Sequence, residues 1–147
     1  LAAPLCRAHL TPRPQLAAGR TLARLGLATA LIDLSDGVAT DLNHICRAGG
    51  VGARLAAEKV PVSPRVAAVA PHLDRAPLDL ALTGGEDYHL LFTSPPEKTA
   101  SLFQAFAREG LPEPLPLGEI VAGEGVWLIT DAGETDISGR GFDHFRP

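Results

Sequence analysis

The sequence predicts a mixed α/β fold, a layered mixed sheet flanked by helices, and three observations carry that prediction. Apolar runs of strand length alternate with segments whose apolar residues recur every three or four positions. Glycine or proline marks nearly every change of period. The chain has 147 residues, 46% hydrophobic and 20% charged, which is room for a single domain with a real core. Strands interleaved with helices bury their apolar faces best as layers.

Residues 1–14 end as loop, because Thr11-Pro12-Arg13-Pro14 resists helix and sheet alike. A helix is predicted over 15–25 from Leu16, Ala18, Leu22 and Leu25, with Gly26 at its C′ position. A strand over 28–34 follows, then a helix over 36–48 whose apolar face carries Val38, Leu42, Ile45 and Cys46. Ser35 or Asp36 is its expected N-cap, and Gly49-Gly50 ends it. A second strand runs from Gly52 to Leu55 and on toward Val60-Pro61-Val62 through a bend. Ser63-Pro64 reads as N-cap and N1 of a short helix reaching about Ala70, where Pro71 stops it.

Pro77 to Leu82 forms another short helix that ends at Thr83-Gly84-Gly85. The run from Asp87 to Thr93 is the clearest strand in the chain. Ser94-Pro95-Pro96-Glu97 opens a helix with an apolar stripe of Leu102, Phe103, Phe106 and Ala107, closed by Gly110; its phenylalanines are core. Pro112, Pro114 and Pro116 make an extended connector to strands at 117–121 and 125–130. A turn at Asp131-Ala132-Gly133-Glu134 precedes a short strand. The tail Gly139-Arg140-Gly141-Phe142-Asp143-His144-Phe145 is too glycine-rich for a core strand, so its aromatic residue packs loosely or covers a ligand.

Charge and composition exclude several functions. A net charge of −4 with a pI near 5.7 and no basic run speaks against nucleic acid or an anionic membrane as the main partner. No apolar run approaches the roughly 20 residues needed to span a bilayer. Cys6 and Cys46 lie far apart with no C-x-x-C pattern, and no secretory leader is visible, so neither a disulfide framework nor a zinc site is expected and the cytoplasm is the simplest location. The chain has no Met and opens on Leu-Ala-Ala-Pro, as a fragment or a processed product would. No internal repeat occurs.

Two polar stretches are candidates for chemistry. In Ile32-Asp33-Leu34-Ser35-Asp36-Gly37 a strand runs into two carboxylates and a hydroxyl just before a helix. A helix N-terminus there favours phosphate oxygens, Gly37 allows close backbone approach, and paired carboxylates suit magnesium. The same residues equally describe ordinary capping and turn chemistry, which alone they slightly favour. In Thr83-Gly84-Gly85-Glu86-Asp87-Tyr88, paired glycines and paired acids precede a strongly apolar strand. Glu86 there is either an acceptor for a cationic or amino-bearing ligand or a solvated loop acid, with the latter ahead. None of the five histidines has metal-ligand spacing. His44 reads as partly solvated on the second helix, and His89 and His144 have no assigned role.

Ile32 to Gly37 with Asp41-Leu42-Asn43-His44-Ile45, then Gly84 to Tyr88 with Leu90-Leu91-Phe92, then Gly141-Phe142-Asp143-His144-Phe145, together resemble the C-terminal domain of thiamine-monophosphate kinase. The resemblance runs from the His9 to Pro14 lead-in to the tail. It implies membership of the aminoimidazole ribonucleotide synthetase superfamily, whose C-terminal domain is α/β and partly ferredoxin-like. It also implies an N-terminal ATP-binding domain that residues 1–147 do not include, leaving this piece a single substrate-side domain inactive alone. The reaction implied is transfer of the γ-phosphoryl group of ATP to thiamine monophosphate, with several Mg2+ ions, in a cytoplasmic homodimer. Carried over by position, Asp33 and Asp36 would bind magnesium, Ser35 the ATP phosphates, and Glu86 and Phe142 the thiamine moiety. No residue is assigned acid or base catalysis, since joining phosphate to phosphate depends on charge neutralisation and alignment. His89 departs from the family, which usually has an acid after the tyrosine. Selenophosphate synthetase, aminoimidazole ribonucleotide synthetase, or a non-catalytic binding module are the alternatives.

Overall fold

The computed structural model describes residues 2–140, with Ala2 described by its backbone only. Six α-helices and six strands follow in the order α1 (Ala2–Leu10), α2 (Leu16–Arg24), β1 (Ala30–Asp33), α3 (Val38–Gly49), β2 (Gly52–Ala56), α4 (Pro64–Val69), α5 (Pro77–Thr83), β3 (Leu90–Thr93), α6 (Thr99–Arg108), β4 (Gly118–Val121), β5 (Val126–Thr130) and β6 (Gly133–Asp136). Single 3-10 turns cover Ala57–Lys59, Ala70–Leu73 and Pro96–Lys98. The architecture is the expected mixed α/β type, with its strands divided between two sheets. β1 and β3 pair antiparallel, Ala30 opposite Thr93 and Asp33 opposite Leu90. The second sheet has the order β4-β2-β5-β6, in which β2 and β5 are parallel and the outer pairs antiparallel.

Each sheet has its own core. Val38, Ala39, Leu42 and Cys46 of α3 pack with Ala53 and Leu55 of β2, Val126 and Leu128 of β5, and Ile137. Leu22 and Leu27 pack with Leu102, Ala105 and Phe106 of α6, while Phe92 of β3 closes over that group. Phe92 and Phe106 stack with centroids 6.5 Å apart. A buried Leu or Ile in such a cluster contributes about 2 kcal/mol over leaving it in water.

Local signals place most helix ends. Gly26 and Gly110 have φ of 58° and 64° just past α2 and α6, and Gly50 has φ 62° past α3, the left-handed C-terminal geometry that glycine adopts freely. Ser63 Oγ accepts from the Val66 N–H at 3.1 Å, capping α4 with Pro64 at N1.

Residues 2–10, for which no element was expected, form α1, and two local expectations are corrected. The strand expected from Asp87 begins only at Leu90, because Glu86 and Tyr88 have φ of 69° and 51°, a backbone no strand accommodates. Neither Ser35 nor Asp36 caps α3; the N-cap position is Gly37, with φ 101° and no side-chain cap. Both cysteines are free, Cys6 exposed and Cys46 buried. Among the described residues no helix is long and apolar enough to cross a membrane.

Candidate functional site

The fold brings the two polar stretches into backbone contact. The Glu86 N–H donates to Ser35 O at 2.9 Å, the Tyr88 N–H to Leu34 O at 2.8 Å, and the Leu34 N–H to His89 O at 2.8 Å. Two glycines make that approach possible. A Cβ on Gly85 would lie 2.4 Å from Ser35 O, and one on Gly37 would lie 3.0 Å from Leu82 O and from the Thr83 carbonyl carbon. The end of β1 and the loop ahead of β3 are thus locked together through main chain.

Around this junction Asp33 and Glu86 are exposed, and Ser35, Asp36 and Tyr88 are half-buried. The Tyr88 hydroxyl donates to Glu86 Oε2 at 3.1 Å. That hydrogen bond, then the charges of Glu86, Asp33 and Asp36, push the tyrosine pKa above its ordinary value, because ionising it would add a like charge beside three carboxylates. Asp33 and Tyr88 also line a 370 Å³ cavity with Pro14, Leu16, Arg20 and Leu90. Phe142 lies outside the described residues, as does His144.

Sequence reasoning gave no role to Asp41. It is 1% exposed, and its Oδ2 accepts from the N–H groups of both Ser35 and Asp36, each at 3.1 Å. Burial pushes its pKa up, opposed by the Asp36 N–H, while the nearby Asp36 charge pushes the same way as burial. Asp36, Asp41 and His44 each place one ligand-type atom within 4.8 Å of the others. A signal was present: Asp41 falls on the apolar face of α3, three residues after Val38 and beside Leu42, where an acid needs local partners. The spacing Asp41-x-x-His44 brings His44, itself exposed, one turn on from Asp41.

The N–H groups of Ser35 and Asp36 are therefore already accepted and do not wait for a phosphate. Around the α3 N-terminus the junction presents the Ser35 hydroxyl and the carboxylates of Asp33 and Asp36. Asp33 and Asp36 supply hard oxygen donors of the kind magnesium takes. A second, larger groove of 860 Å³ is lined by β1, part of α3 and Ile120 of β4; its lining is mostly aliphatic and does not match phosphate chemistry.

Residues 7–130 match the family model described as AIR synthase related protein, C-terminal domain. The chain belongs to that family. Within it, the chain is 38% identical over 143 residues to the thiamine-monophosphate kinase of Salmonella typhimurium, covering 96% of this chain and 42% of that protein. The solved thiamine-monophosphate kinase of Stenotrophomonas maltophilia matches with a TM-score of 0.72 at 32% identity, over 83% of this chain and 37% of that one. A structure of AaThiL complexed with AMPPCP and TMP matches with a TM-score of 0.77 at 30% identity, over 97% of this chain and 41% of that one. The chain thus spans about two fifths of the length of these family members, and corresponds to their C-terminal part.

Proposed function

We propose that this chain is the substrate-side C-terminal domain of a thiamine-monophosphate kinase, working with an N-terminal ATP-binding domain and largely inactive without it. The observation that carries the reading is the main-chain lock between Ser35 and the Glu86 loop, found in a chain whose relatives are thiamine-monophosphate kinases. The reaction breaks the bond from the γ-phosphorus of ATP to its bridging oxygen and forms one to a phosphate oxygen of thiamine monophosphate. ADP and thiamine diphosphate leave.

In this reading Asp33 and Asp36 hold magnesium, and Ser35 contacts the ATP phosphates. Bound magnesium would supply screening of the clustered phosphate charge. Glu86, oriented by the Tyr88 hydroxyl, faces the thiamine moiety, where a carboxylate suits a thiazolium or an aminopyrimidine N–H. Phe142 supplies an aromatic face for the same cation. The junction contributes alignment more than proton transfer, since a phosphate acceptor is already ionised. A cytoplasmic homodimer rests on the family resemblance.

Full-length protein given thiamine monophosphate and magnesium-ATP should form thiamine diphosphate, and Asp33→Asn and Asp36→Asn should each cut turnover by at least about 100-fold with unchanged circular dichroism. Absence of product from the unaltered protein would end the reading. Normal turnover in both variants would remove those carboxylates from the site.

A further inference from the structure

Of the five carboxylates at the junction, Asp33, Asp36, Asp41, Glu86 and Asp87, only Asp41 is buried. Taking a carboxylate out of water is costly unless donors surround it. Asp41 has two, the consecutive N–H groups of Ser35 and Asp36. These belong to the residues that would present a hydroxyl to phosphate and a carboxylate to metal.

We propose that Asp41 is a positioning residue for phosphoryl transfer, an inference that rests on the kinase reading above. Its Oδ2 holds Ser35 from the N–H side, while Ser35 O is held from the other side by the Glu86 N–H. One buried side chain thus fixes the peptide that joins the phosphate-facing turn to the thiamine-facing loop. With both ends of Ser35 engaged, the Asp36 carboxylate and the Glu86 backbone keep a set separation. Freeing the two N–H groups lets the turn relax, and a displacement of about 1 Å at reacting groups costs on the order of 100-fold in rate.

The role requires an oxygen acceptor at position 41, not a negative charge on a metal. The distinction matters because Asp36, Asp41 and His44 lie close enough to share an ion. Asparagine retains the acceptor and removes the charge; alanine removes both.

The test uses the full-length protein with thiamine monophosphate and magnesium-ATP, well below the melting temperature of each variant. Hydrogen exchange is measured over residues 34–37 in parallel. Asp41→Ala should lower kcat by about 100-fold and abolish exchange protection at Ser35 and Asp36, with the α3–β5 core still protected. Asp41→Asn should recover kcat to within about tenfold of the unaltered protein and restore that protection, a rescue that loss of general stability does not predict. Asp41→Asn falling as far as Asp36→Asn would make Asp41 a charged ligand and overturn the proposal, as would full kcat in folded Asp41→Ala. If Asp41→Ala does not fold, the asparagine variant alone decides by the same two limits. If the unaltered protein makes no thiamine diphosphate, the kinase reading fails. Exchange at 34–37 in Asp41→Asn then decides the clamp: retained protection keeps it, loss refutes it.

Discussion

Two aspartates gather local donors in the same way and with opposite consequences. Asp41 collects two backbone N–H groups beneath the polar junction. Asp136, at the end of β6, collects the Ser138 N–H at 2.9 Å and the Ser138 hydroxyl at 2.6 Å, and Ser138 Oγ in turn accepts the Val126 N–H at 2.7 Å. Burial raises the pKa of Asp41, whereas the Ser138 hydrogen bonds lower that of Asp136, which is exposed. Hydrogen-bond number does not set the sign; access to water does. The exposed clamp adds stability to a sheet edge around buried Ile137. The buried clamp trades part of that gain for a turn with little freedom, which is what the proposed alignment of two anions would need.

The contrast breaks most severely where the junction depends on bare backbone. Gly85→Ala would drive a Cβ to 2.4 Å from Ser35 O, main chain against main chain, with no flexible side chain to yield. A loss of about 3 kcal/mol is expected, read as a urea midpoint, together with loss of exchange protection at the Glu86 N–H, which donates to Ser35 O. Asp41→Ala should follow at about 2 kcal/mol, because it leaves two part-buried N–H groups without a partner. Equal midpoints for Gly85→Ala and the unaltered protein would show that the two loops do not pack as closely as described.

The same contrast separates what the sequence reveals from what it hides. Gly26, Gly50, Gly110 and Ser63 mark their helix ends from local chemistry, and each was readable because the reason lies within a few residues. The apolar face of α3 was readable for the same cause, since Val38, Leu42 and Cys46 recur at helical spacing. The cap of α3 was not. Ser35 and Asp36 have the right composition for it, yet Asp41, five and six positions away, takes their N–H groups. The strand at 87–93 lost its first half for a tertiary reason: Glu86 and Tyr88 adopt positive φ to meet Ser35 and Leu34. Both polar stretches were visible as candidates, but their contact is long-range, and no spacing rule within either one reveals it.

At the other aspartate the expected effects are smaller and their pH dependence is the informative part. Ser138→Ala removes the acceptor for the Val126 N–H and the hydroxyl donor to Asp136, while the backbone N–H at 138 stays, for about 1 kcal/mol. Asp136→Asn keeps an oxygen for the Ser138 donors and should cost only a few tenths of a kcal/mol at pH 7, because the group is exposed and screened. Its folded pKa lies below the ordinary 3.8, so the unfolded chain binds the proton first as pH falls. The ionised form therefore stabilises the fold above about pH 4, and that stabilisation is lost as pH falls toward the folded value. Asparagine has no such titration, whereas every other carboxylate titrates alike in both proteins and cancels in their difference. The gap between urea midpoints of the unaltered protein and Asp136→Asn should accordingly narrow as pH falls through the ordinary 3.8 toward the lower folded value. A gap that stays constant over that range would mean the Ser138 donors do not favour the ionised form, and the exposed clamp would then hold by geometry alone.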